Sequence, residues 1–183
     1  MSVPSEIRNL TSEVVASFES GIGAVGALIE KGLELLDGYR MEQEAIRGHL
    51  REKLASMGSF RRKDFDSVIG RILDFQLRRE TEIKTLIRSF LARQRELTSR
   101  LNRSMQANLF EEMERCKKEL SFLIERVRSE IQVFQKEQQK IRAAFRTFEE
   151  KDEVSGREFR KSIQNLEGEL IGQSSVKQQV NAL

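Results

Sequence analysis

The sequence predicts an all-α protein whose long amphipathic helices form a coiled coil or an elongated helical bundle. Three observations carry that expectation. Of 183 residues, 33% are charged and 38% apolar, and the apolar ones recur at steps of three and four. One Pro and eleven Gly cannot supply the turns of a many-stranded β fold. Between Gly70 and Gly156 there is neither Gly nor Pro, so nothing in that stretch forces a helix to stop.

The first element is a helix over about 5–56, within an N-terminal region 1–58. Ser5, or Thr11 and Ser12, can cap its start. Its stripe runs Ile7, Leu10, Val14, Phe18, Ile22, Val25, Ile29, Leu33, Leu36, and then more weakly Ile46, Leu50 and Leu54. The segment Gly21–Ile29 is rich in Gly and carries the spacings Ser17-x-x-x-Gly21 and Gly23-x-x-x-Ala27, which let two helices approach closely. A turn follows at 57–60, where Gly58 can adopt the left-handed conformation that ends helices.

The second region, 59–155, carries a stripe from Phe65 to Phe148 that advances about 3.6 residues per step. It includes Ile69, Ile72, Gln76, Glu80, Ile83, Ile87, Phe90, Gln94, Leu97, Leu101, Met105, Leu109, Met113, Cys116, Leu120, Val127, Ile131, Phe134, Gln138, Ile141 and Phe145. Because the stripe keeps phase through Asn102–Asn108, one continuous helix over about 60–152 is favoured. The two Asn and the Ser there make a helical hairpin breaking near 102–108 the alternative. Flanking apolar residues widen the stripe beyond a two-stranded seam and imply more than one neighbour. Gln76, Glu80, Gln94 and Gln138 interrupt it, and buried polar groups of this kind can fix register and partner number. In the last region, 156–183, Phe159, Ile163, Leu166, Leu170 and Ile171 suggest a short helix. A polar, frayed tail is expected from Gly172 onward.

No cofactor or metal site is expected. The single His49 lacks a Glu-x-x-His partner, and the single Cys116 lies on the apolar stripe without a base beside it. Glu111, Glu112 and Glu114 alternate with Arg115, Lys117 and Lys118, the pattern of an ion-paired helix face. The expected reading is therefore a non-enzymatic scaffolding protein that self-associates within a larger cytoplasmic assembly. The seam residues expected to meet other copies are Ile83, Ile87, Phe90, Leu97, Leu120, Val127 and Phe134. The cytoplasmic expectation follows from a start that lacks a basic, then apolar, leader pattern.

Two other partner classes follow from local features. Phe18, Ile22, Val25, Ile29 and Leu33 could lie on a membrane or on an apolar particle such as a storage granule or gas vesicle. The basic middle third, with 12 basic and 6 acidic residues over 59–110, offers Arg61, Arg62, Lys63, Arg78 and Arg79 as anion contacts. A nucleic-acid role is the third reading, and interleaved acidic residues weaken it.

Overall fold

Three turns divide the chain into four helices: α1 (Val3–Ser56), α2 (Arg62–Gln106), α3 (Phe110–Glu150) and α4 (Gly156–Val180). The computed structural model describes residues 3–58, 61–107, 109–151 and 153–180, and no strand occurs among them. The predicted all-α class is observed.

Each turn has a local cause. At the end of α1, Met57 and Gly58 donate backbone N–H groups to Lys53 and Ala55, and Gly58 sits at φ 64°, where a Cβ is disfavoured. The continuous helix favoured through 102–108 does not form: α2 ends at Gln106 and α3 starts at Phe110. There the Leu109 N–H reaches back to the Ser104 carbonyl at 2.8 Å, the six-to-one closure of a Schellman-type ending. Leu109, placed on the stripe by phase alone, is exposed in this turn. At the third turn Ser155 acts as an N-cap: its Oγ accepts the Glu158 N–H at 3.1 Å. At the N-terminus α1 begins at Val3, which places Ser5 inside the helix rather than at its cap. α4 continues to Val180, beyond the Gly172 at which fraying was expected, because no Pro intervenes and Ser, Gln and Lys tolerate helix.

The helices build two compact units, and α1, α2 and α3 each contribute a segment to both. The first unit is Met1–Glu34 with Glu82–Gln132. Its core is Phe18, Val25 and Ile29 of α1, Ile83, Ile87, Phe90, Leu97 and Leu101 of α2, and Met113, Cys116, Leu120, Val127 and Ile131 of α3. Here α2 and α3 form an antiparallel pair, tied by Arg93–Glu119 and Arg100–Glu112. The α1 segment runs parallel to α3 and approaches it closely at two glycines. A Cβ on Gly21 would lie 3.3 Å from Ile124, and one on Gly32 would lie 3.2 Å from Ile131. Gly32 therefore takes the inward position, and Leu33, expected on the stripe, is exposed.

The second unit is Leu35–Thr81 with Val133–Leu183, and it has four helices. Its core joins Ile46, Leu50, Leu54, Phe65, Ile69, Ile72, Phe75, Ile141, Phe145, Phe148, Val154, Phe159, Ile163, Leu166 and Leu170. Phe159 stacks on Phe65 with ring centres 5.5 Å apart and meets the edge of Phe148 at 5.1 Å. Lys53 reaches from α1 to the end of α3, where its ammonium donates to the carbonyls of Phe148, Glu149 and Lys151. These are carbonyls that a helix terminus leaves without intrahelical donors, and a cation there also suits the helix dipole.

Candidate interaction surfaces

All seven residues of the expected seam are buried: Ile83, Ile87, Phe90, Leu97, Leu120 and Val127 in the first unit and Phe134 in the second. The chain's own helices cover them, so these residues are closed to a second copy. The physical reason lies in the turn at 107–109. It folds α2 back on α3 and lets one chain supply the neighbours that the wide stripe demands. The expected surface-contact segment is similarly occupied. Phe18, Val25 and Ile29 are buried and Ile22 is half-buried, which leaves only Leu33 of that set exposed.

The basic residues divide into two kinds. Arg61, Arg62, Lys63 and Arg78 are exposed, and Arg62 pairs with Glu52 at 2.8 Å. Arg79 is instead buried, with its Nε 2.9 Å from Glu137 Oε2, so it cannot serve as an anion contact on the surface. The stripe steps from Gln76 to Arg79 to Ile83, and Glu80, expected on it, is only half-buried. A helix advancing by three from Gln76 turns Arg79 inward, and Glu137 neutralises it there.

In the first unit an ion-pair cluster bridges α2 and α3. Arg93 Nε lies 2.7 Å from Glu119 Oε1, and Arg100 binds Glu112 and lies 3.4 Å from Glu119. Hydrogen bonds to Glu119 and Glu96 raise Arg93, and the bond to Glu112 raises Arg100. The Arg100 guanidinium in turn holds the Glu112 carboxyl below the usual carboxylate range. Cys116 is fully buried, and burial pushes its thiol up, which is the environment of an inert thiol. His49 is exposed and meets Glu149 at 3.1 Å.

The second unit has an open groove of about 240 Å³. α1 supplies Leu36, Tyr39, Arg40, Gln43, Glu44 and Arg47, and α2 supplies Leu73, Gln76, Leu77 and Glu80. Phe134, Gln138 and Phe145 of α3 also line it. Gln43, Gln76 and Gln138, one from each helix, are joined by amide hydrogen bonds. Gln76 and Gln138 were visible in the sequence as interruptions of the stripe. Gln43 was not, because it lies in the weak part of the α1 pattern between Leu36 and Ile46.

No protein-family model, curated protein or solved structure matches this chain. The chemistry of its surfaces therefore has to be read from its own residues. Among the described residues no cluster of three or more His, Cys, Asp or Glu is placed to hold a metal ion. No described helix is long and apolar enough to cross a membrane. Three large apolar side chains stand well out of the surface: Met41 at 75%, Leu77 at 65% and Phe122 at 68% exposure.

Proposed function

We propose that this chain is a non-enzymatic scaffolding protein of a cytoplasmic assembly, and that it associates with further copies of itself through its outer helix faces. Phe122 carries the reading. It lies on α3 between Leu120 and Leu123 but turns away from the core, 68% exposed amid Lys118, Glu119, Glu125 and Arg126. A large aromatic ringed by charge has the composition of an interface anchor with a polar rim. Leu77 and Met41 give the second unit comparable apolar points. The coat reading would require the buried face of Phe18, Val25 and Ile29 to leave its bundle, which disfavours it.

Light scattering after size exclusion, over a range of concentrations, tests the proposal. The wild-type mass should exceed the 21.2 kDa of one chain. Phe122→Glu should lower it while helical circular dichroism stays unchanged. A wild-type protein that remains a single chain at every concentration sinks the self-association.

A further inference from the structure

Phe122 is poorly suited to meet its own counterpart. Lys118 lies one turn before it on α3 and Arg126 one turn after it. Both are exposed, and neither forms an ion pair with a described residue. A twofold contact that set Phe122 against Phe122 would bring like charges together. With the two helices antiparallel, Lys118 of one copy meets Arg126 of the other. With them parallel, Lys118 meets Lys118 and Arg126 meets Arg126. Like charges set opposite each other disfavour an interface, so the ring calls for a surface of different composition.

The groove of the second unit has that composition. Leu36, Leu73, Phe134 and Phe145 give it an apolar interior, and Leu77 lines it while 65% exposed. Glu44 stands on its α1 wall and Glu80 on its α2 wall. Its volume of about 240 Å³ exceeds the ~150 Å³ of a closed cavity that accepts benzene, so a phenyl ring fits. We propose that Phe122 of one copy seats in this groove of the next, an inference that rests on the self-association proposed above. The ring is covered by the apolar interior, and Lys118 and Arg126 meet the acidic walls. The bond they compete with at Glu44 is weak, since its pair with Arg40 is exposed and 3.8 Å long. Glu125 in turn offers a counter-ion to Arg47, which lines the groove half-buried and has no ion pair with a described residue. The contact is heterologous. Each copy gives one Phe122 and one groove, so copies add head to tail, in a ring where the rotation closes and in an open chain where it does not.

Sedimentation velocity on the full-length protein and two variants tests this. Phe122→Glu removes the ring and keeps the groove, while Leu77→Glu charges the groove and keeps the ring. Each alone should raise the concentration needed for association at least tenfold, with helical circular dichroism retained. An equimolar mixture of the two should regain a complex of twice the 21.2 kDa of one chain and grow no further. One intact ring then fills one intact groove, and both remaining ends are blocked. Should Leu77→Glu lose helicity, Glu44→Lys, at an exposed position of the same groove, takes its place by repelling Lys118 and Arg126. The inference is overturned if the folded groove variant associates like the wild type, or if the mixture stays at the mass of a single chain. Association that Phe122→Glu abolishes under either of those results leaves the self-association standing through another surface. A wild-type chain that never associates sinks the self-association itself, and the groove contact with it.

Discussion

Arg79 and Glu137 illustrate how a single residue step decides whether a charge is solvated or buried. Both lie within a few per cent of full burial, and each is the other's counter-ion. Removing one partner strands the other in the core. Arg79→Met should therefore cost about 3–5 kcal/mol, whereas Arg79→Met with Glu137→Leu should recover most of it. Urea denaturation of the single and double variants measures both. Cys116 supplies a second residue-scale test, in the alkaline direction. Burial raises its folded pKa, so the neutral thiol is favoured in the fold. Its contribution is complete below the unfolded thiol value of about 8.5 and is lost as pH rises above it. Stability followed from neutral to alkaline pH should fall for the wild type, and the fall should be shallower in Cys116→Ala.

At the scale of the element, the α1 glycines separate into two kinds that sequence spacing could not distinguish. Gly21 and Gly32 face Ile124 and Ile131, while Gly23 and Gly26 meet nothing within 4 Å. An open helix-interior glycine only adds backbone freedom to the unfolded chain, so Gly23→Ala and Gly26→Ala should each stabilise by about 0.5–1 kcal/mol. Gly32→Ala should fall short of that gain or destabilise, because its Cβ would press on Ile131 at 3.2 Å. Thermal melts of the three variants rank them. The helices themselves were legible because their periodicity is long and uninterrupted, and Gly58 was legible as a stop because glycine tolerates positive φ. The break at 107–109 was not, since the stripe from Leu97 through Leu101 and Met105 resumes in phase at Met113. Hydrophobic phase reports which face is buried, and a tight turn can preserve it. The Gln layer was half legible for a related reason. A polar residue stands out only where the surrounding stripe is strong, as around Gln76 and Gln138 but not around Gln43.

At the scale of the whole molecule, the two units differ in what completes them. Only the second takes in α4, whose Phe159, Ile163, Leu166 and Leu170 belong to its core. A chain ending at Ser155 should lose hydrogen-exchange protection over 35–56, 62–81 and 133–150, while 15–34, 82–106 and 110–132 keep theirs. Equal loss across both sets would show that the units do not unfold separately. The expected oligomer seam failed to reach solvent at this scale too: one turn converts a surface that looked intermolecular into an interior, and periodicity cannot tell one chain's helices from another's.

The parallel pairing of α1 with α3 also bears on how the chain is made. Gln43 bonds Gln138 and Glu42 meets Arg146, so partners in α1 and α3 lie about a hundred residues apart. At translation speeds of ~5–20 residues per second, α1 leaves the ribosome roughly 5–20 s before the strip of α3 it packs on exists. Its apolar side has no shelter during that interval. The open glycines that weaken α1 as an isolated helix would keep the nascent segment loose over those seconds, delaying a rigid sticky face until α2 and α3 have emerged to receive it.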